Sequence, residues 1–213
     1  MQKVGTVEDE MYLTTFIFEE AKHVEFFARW LQEVGVTEDL AKYHRSNYRQ
    51  IFYEDLPNDM SRLLHDQSPE AIAKAVTTYN MIVENMLAET GYTAFYGALE
   101  SKGLMPGLLQ GISYIKRDES RHIGFGTFLL QRLVAQDVRI FDVITNRMDE
   151  LLTPAIGVVA EIFVGDERPF GLEPKHFQDF AIQRFNNRIN VIERAKAQSE
   201  EDVLAHANEL LEV

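Results

Sequence analysis

Phe16-Ile-Phe-Glu-Glu-Ala-Lys-His-Val-Glu-Phe-Phe27 sets a Glu-x-x-His element, Glu20 to His23, inside a run of helical apolar spacing, and Glu119-Ser-Arg-His122 repeats the element much later in the chain. Residues three apart on an α-helix project from one face about a turn apart, so a Glu and a His so spaced can grip one metal. Around the first element Leu13, Phe16, Ile17, Glu20, Val24, Phe27 and Leu31 follow the three-and-four spacing of a core stripe. Ile112, Ile115, Glu119, His122, Gly126, Leu129 and Leu133 do the same around the second. Between them Ala73, Val76, Met81, Leu87, Ala88 and Phe95 surround a third carboxylate, Glu84. An isolated ionised carboxylate in a core is very costly, and three carboxylates with two imidazoles need compensating cations. Glu20, His23, Glu84, Glu119 and His122 therefore read as ligands of a carboxylate-bridged dimetal centre in a four-helix bundle.

The spacing alone is weak. Glu is 22 of 213 residues, so by chance roughly 0.6 of the six His would follow a Glu by three positions. Three do, and the third pair, Glu173 and His176, serves as an internal control. Pro174 suits the first turn of a helix, which puts this pair at a solvated helix start, away from any core stripe.

With 213 residues and 46% hydrophobic composition the chain is long enough to bury a sizeable core as one domain, residues 1–213. A formal charge of −13 opposes binding to nucleic acid or anionic lipid headgroups. Cysteine is absent, which excludes disulfides and thiolate metal ligands. No stretch has the apolar length of a membrane span and the start lacks the regions of a secretory signal, so a cytoplasmic protein is expected. Punctuation marks long helices: Val7 to Glu33 ending at Gly35; Thr37 to about Tyr53, stopping before Pro57; and Ser68-Pro69-Glu70 opening a very long helix to about Ser101. Pro106 starts another to about Val134, Asp137 one to about Val164 with Pro154 and Gly157 inside it. After a loop from Gly165 to Pro174 comes a helix to about Gln198, and Ser199 caps a short amphipathic tail. The expected class is all-α.

Phe16 to Phe27, Tyr79 five residues before Glu84, and Arg117-Asp-Glu-Ser-Arg-His-Ile-Gly-Phe125 together closely resemble the ligand-binding oxidases related to the ribonucleotide reductase small subunit. The resemblance extends over nearly the whole chain. It implies a ferritin-like helical bundle, a manganese–iron pair (with di-iron as the alternative), molecular oxygen as co-substrate, two-electron oxidation and a long-chain fatty acid bound at the metals; it leaves a homodimer open. Five of the family's six protein ligands match Glu20, His23, Glu84, Glu119 and His122, and Tyr79 matches the tyrosine that becomes ether-linked to a valine. Asp118 resembles an aspartate that accepts a hydrogen bond from the imidazole of the other Glu-x-x-His helix, here His23, as a cofactor-site residue that fixes its tautomer; a surface Asp paired with Lys or Arg is the other reading. The family's first carboxylate ligand and its crosslinked valine lie on a core helix ahead of the segment that begins this chain, so the resemblance implies a domain lacking one N-terminal core helix.

Several readings stay open at this level. Glu161, near Val158 and Ile162, is either a substitute sixth ligand or a solvated carboxylate. Arg121 either neutralises site carboxylates or is solvated. Phe16, Phe125, Phe128 and Tyr92 either wall a lipid tunnel or are core. A ribonucleotide reductase small subunit would carry a redox-active Tyr in its tail, and none follows Ser199; a metal- or lipid-binding protein without catalysis would keep the ligands and lack oxygen chemistry.

Overall fold

The computed structural model describes residues 7–165 and 168–209, the side chains of 206–209 excepted. Every regular element among them is helical. The first, α1, spans Val7–Glu33 and ends at Gly35, whose left-handed backbone (φ +77°) is one that glycine adopts without a Cβ clash.

The second helical region departs from expectation at both ends. Asp39, not Thr37, is the cap: its carboxylate accepts the Ala41 amide at 2.8 Å over the short turn Leu40–Tyr43. Helix α2 covers residues 46–62 as Ser46–Arg49, a π-helical stretch Gln50–Asp55, and Leu56–Arg62, passing through Pro57 instead of stopping before it. Proline lacks an amide hydrogen and its ring crowds the carbonyl four residues back. The wider turns ahead of Pro57, where the Leu56 amide reaches back to the Ile51 carbonyl, give that ring room.

Helix α3 spans residues 69–99. Ser68 caps it through the Ala71 amide (3.3 Å) with Pro69 in the first turn. Its middle third, Thr77–Ala88, is π-helical and carries Tyr79, Asn80 and Glu84; regular α-helix resumes over Glu89–Leu99. Then come α4 (Pro106–Gln136), α5 (Ile140–Glu161, with Pro154 buried within it), α6 (Pro174–Glu193) and α7 (Glu200–Glu209). Ser199 caps α7 through the Asp202 amide (3.1 Å). Of the loop expected between Gly165 and Pro174, residues 166 and 167 lie outside the described residues.

Helix α3 is the hub, packed by α4, α5 and α6, and its middle third buries Thr77, Thr78, Asn80, Glu84 and Asn85 beside Met81, Ile82 and Met86. Met81, Ile82 and Met86 of α3 meet Leu130 and Val134 of α4, Ile144, Met148 and Leu151 of α5, and Ala181 and Phe185 of α6. A second, smaller cluster joins Tyr92 and Leu99 to Leu108, Ile112 and Ile115, with Phe26, Phe27 and Trp30 of α1 against it. Arg147 of α5, nearly enclosed, binds Asp55 and Asp59 of α2 (3.1 and 2.7 Å) and Thr78 of α3 (3.0 Å), tying three helices just beside Tyr79.

Helix α1 corrects the stripe inferred for it. It lies on α4, with Phe26 closed over Gly111, and buries fully only His23. Ile17 and Val24, expected in the core, are 68% and 71% exposed. They flank Glu20 on a side of α1 that no described element covers, whereas Phe16 and His23 turn toward α4.

Candidate metal centre

Helices α1, α3 and α4 bring the five candidate ligands to one region. One ligand atom each from Glu20, Glu84, Glu119 and His122 lies within 4.8 Å of all the others. His23 joins from the side, its Nδ1 3.5 Å from Glu119 Oε1 and 3.8 Å from Glu20 Oε2. His122 Nδ1 is 3.3 Å from Glu20 Oε1, 3.5 Å from Glu84 Oε1 and 3.7 Å from Glu119 Oε2.

Each candidate is held from behind. The Tyr79 hydroxyl donates to Glu20 Oε1 (3.0 Å), the Asn80 amide to Glu84 Oε2 (2.7 Å) and the Tyr92 hydroxyl to Glu119 Oε1 (3.2 Å). Asp118 Oδ2 sits 3.2 Å from His23 Nε2, and Glu19 Oε2 lies 2.9 Å from His122 Nε2. A carboxylate can only accept, so each imidazole holds a proton on Nε2 and turns Nδ1 inward as the atom that can coordinate once any proton on it is displaced. Arg121 pairs with both Glu19 and Asp118, the latter at 2.8 Å, so this guanidinium joins the two orienting acids and is not merely solvated.

The inward atoms are the orphans. His23 Nδ1, Glu84 Oε1, Glu119 Oε2 and His122 Nδ1 are buried with no hydrogen-bond partner. Nine such atoms occur among the described residues, and the grouping of three of them, Glu84 Oε1, Glu119 Oε2 and His122 Nδ1, with His23 Nδ1 beside them is the pattern of a group still to be bound. Nitrogen and carboxylate oxygen without sulfur suit first-row cations such as manganese and iron. The residues fit a metal pair.

Electrostatics point the same way. Burial, reinforced by Glu119, pushes the Glu84 carboxyl up to about 7 against the nearby His122 imidazole and the hydrogen bond from Asn80. Burial disfavours the His122 imidazolium, but Glu119, Glu20, Glu84 and Glu19 outweigh it and push the group up to about 12. Burial raises Glu20 too, yet His122, His23 and Tyr79 hold it down to about 2. Protons thus stand in for cations, and a metal must displace them. Metal uptake is expected to strengthen as pH rises through about 7, where Glu84 sheds its proton. Affinities measured at pH 6 and pH 8, with calorimetry in buffers of different ionisation heat, check this; uptake that weakens with pH and releases no proton would contradict it.

Three residues here were not recognised from sequence. Glu19 mirrors Asp118: an acid immediately precedes the Glu of both Glu-x-x-His elements, a repeat visible in the sequence. Tyr92, read only as a wall or core aromatic, donates to Glu119. Asn80 lies one turn ahead of Glu84, and Gly126 makes room for it, since a Cβ there would stand 2.5 Å from Asn80 Cβ. The other aromatics do not share one wall: Phe16 lies on His122 (3.7 Å between centroids), Phe125 stacks on Tyr12 and Phe128 lies under Arg132. Glu161 is neither ligand nor solvated. It caps α2, accepting the Asn47 amide at 2.9 Å and the Tyr48 amide at 3.2 Å. Glu173 and His176 sit on the surface, the former paired with Arg168 at 3.0 Å.

The model of the family described as ribonucleotide reductase, small chain, matches residues 1–200. Among solved structures the chain is similar to an R2-like ligand-binding oxidase with a valine-to-isoleucine mutation and an anaerobically reconstituted Mn/Fe cofactor, at 45% identity and a TM-score of 0.82, covering 87% of this chain and 67% of that one. A glycine-to-leucine mutant with a non-activated Mn/Mn cofactor matches at 45% identity and 0.83 over the same shares. A glycine-to-phenylalanine mutant with an aerobically reconstituted Mn/Fe cofactor matches at 43% and 0.84, over 87% of this chain and 71% of that one. The all-helical arrangement is therefore the ferritin-like fold of those oxidases.

Proposed function

The chain belongs to the ribonucleotide reductase small-chain family, among its R2-like ligand-binding oxidases, and from that membership we propose that Glu20, His23, Glu84, Glu119 and His122 hold a manganese–iron pair that makes this protein an oxygen-dependent oxidoreductase. The observation that carries the ligand assignment is the convergence of Glu20, Glu84, Glu119 and His122 within 4.8 Å, three of them with an unpartnered buried ligand atom. When bound, the reduced metals supply the electrons that activate oxygen.

The chain's own residues do the rest. Asp118 and Glu19 keep both imidazoles in the tautomer that presents Nδ1. Tyr92 donates to Glu119 Oε1 and Asn80 to Glu84 Oε2, which leaves Glu119 Oε2 and Glu84 Oε1 without a partner in the protein. Tyr79 is the candidate for oxidation. Burial, with Glu84 and Glu20 close by, raises its phenol far above the ordinary range, so it stays protonated until an electron leaves it, and Glu20 Oε1 at 3.0 Å is placed to take the proton. The second substrate in this reading is a long-chain fatty acid, its carboxylate at the metals and its chain in the bundle. The reaction is then a two-electron oxidation. No described helix is long and apolar enough to cross a membrane.

Anaerobic loading with Mn(II) and Fe(II), metal analysis and then admission of oxygen tests the assignment. Oxygen consumption in proportion to bound metal is expected, and Tyr79→Phe should retain both metals while changing the products found by intact-mass measurement. A protein that takes up both metals and consumes no oxygen would instead be a metal- or lipid-binding member of the family.

A further inference from the structure

Thr90, Thr93, Thr127 and Thr145 each turn the side-chain hydroxyl back on their own helix, donating to the carbonyl four residues earlier at 2.6, 2.9, 2.7 and 3.0 Å. Thr78 does not. Fully buried, it donates to Asp59 Oδ2 of α2 at 2.6 Å and accepts from Arg147 Nε of α5 at 3.0 Å. Its neighbour Thr77 is as deeply buried, and the Thr77 hydroxyl has no partner. Thr78 is therefore the polar tie between the opening turn of the π-helical stretch and the helices α2 and α5.

That tie ends on a fixed point. Arg147 is 8% exposed, and its guanidinium binds Asp59 at 2.7 Å, Asp55 at 3.1 Å and Glu150 at 3.0 Å, so carboxylates of two helices set its planar fork where it meets Thr78. Farther along the stretch Asn80 donates to the His122 carbonyl of α4 and Asn85 to the Arg184 carbonyl of α6, both at 3.3 Å. A π-helical run of this length is not what a backbone adopts unaided. Side-chain ties to the surrounding helices therefore decide how it is rotated. Tyr79 follows Thr78 and projects roughly a quarter turn away around the helix. There its hydroxyl donates to Glu20 Oε1 at 3.0 Å, and its ring makes a tilted contact with Phe16, 5.8 Å between centroids. The hydroxyl lies at the far end of a long side chain, so a small rotation of the backbone at Thr78 becomes a larger displacement of the phenol oxygen.

We propose that Arg147 is a positioning residue for Tyr79: held by Asp55 and Asp59, it fixes the Thr78 hydroxyl and thereby aims the phenol of the next residue at Glu20. The proposal rests on the reading of Tyr79 as the oxidised side chain and adds what places it. The effect of Arg147 on the site passes through Thr78.

Fluorine NMR of the metal-free full chain, with its eight tyrosines replaced by 3-fluorotyrosine, reads this directly, the Tyr79 resonance being the one lost in Tyr79→Phe. Thr78→Val keeps the shape and the ion pairs of Arg147 and removes only the hydroxyl. Its Tyr79 resonance should move more than any other, while that of Tyr92, assigned in the same way, stays in place. Arg147→Met should move the same resonance, and Thr78→Ser, which restores the hydroxyl, should return it to the native position. Melting curves show which variants fold; if Arg147→Met does not, Thr78→Val carries the test. After loading with Mn(II) and Fe(II) and admission of oxygen, Thr78→Val should keep its metals while the Tyr79-dependent product falls by about tenfold or more, since a misplacement of about 1 Å can cost about a hundredfold. A folded Thr78→Val whose Tyr79 resonance is unmoved, is not restored by Thr78→Ser, or moves no more than those of the other tyrosines would overturn the positioning role. A displaced Tyr79 resonance in Thr78→Val, beside a native protein that binds both metals and consumes no oxygen, would support that role and remove only the oxidase reading.

Discussion

Saturating Mn(II) and Fe(II), supplied anaerobically, will raise the unfolding midpoint by about 5–10 °C for each position filled at a hundredfold excess over its dissociation constant. A ligand that binds only the folded state at that excess adds about 2.7 kcal/mol. In a domain of this size each kcal/mol moves the midpoint by about 2–4 °C. The physical source is the enclosed set of Glu84, Glu119 and His122, whose inward atoms have no partner in the protein. Glu84→Gln supplies a test whose sign inverts. The Glu84 carboxyl is pushed up to about 7, above its ordinary value near 4.5, so its stabilising contribution is complete below the ordinary value and lost as pH rises through about 7. At pH 8 the metal-free native protein bears that penalty and Gln does not, because it cannot ionise. Metal-free Glu84→Gln should therefore melt above metal-free native protein, and metal-loaded Glu84→Gln below metal-loaded native protein. Scanning calorimetry of the four samples decides it; equal transitions with and without metal would remove the case for a metal pair.

What could be read from residues and what could not divide along a physical line. The bounds of α1, the Ser68 cap and the opening of α4 at Pro106 are local, set by capping and by glycine or proline geometry, and the sequence displays them. The five candidate ligands are legible because Glu20, Glu84 and Glu119 occupy places that helical periodicity reserves for apolar side chains. Glu19 falls outside that stripe, so it reads as an ordinary solvated acid until His122 is brought against it from α4. The π-helical register of Thr77–Ala88 leaves no mark in a pattern of 3.6 residues, and neither does the widening that carries α2 through Pro57. Glu161 capping Asn47 is a contact across 114 residues that no local rule encodes. Ile17 and Val24 show the converse: the apolar stripe is present in the sequence, but burial of a stripe requires an opposing surface, and no described element provides one.

The orienting acids carry the other large expected effect. Glu19→Ala should weaken metal binding at the His122 position by about 10–100-fold, the usual cost of removing a partner that fixes a ligating imidazole. Without Glu19 Oε2, now 2.9 Å from Nε2, the ring of His122 is free to turn and to place its proton on Nδ1, where it blocks coordination. Arg121 would also lose one of its two carboxylates and lean on Asp118 alone, which disturbs the acid that orients His23. Glu19→Gln keeps an oxygen that can accept from Nε2, so it should recover most of the lost affinity, which distinguishes orientation of the ring from simple loss of negative charge. Asp118→Ala should act mainly on the metal beside His23, whose ring it orients, and Glu173→Ala, beside the surface His176, on neither. Mn(II) affinities for these variants, with oxygen uptake after iron is added, separate the outcomes. Native affinity at both positions in Glu19→Ala would show that the helix backbone alone holds His122 in place, and the parallel between Glu19 and Asp118 would then have no part in assembling the centre.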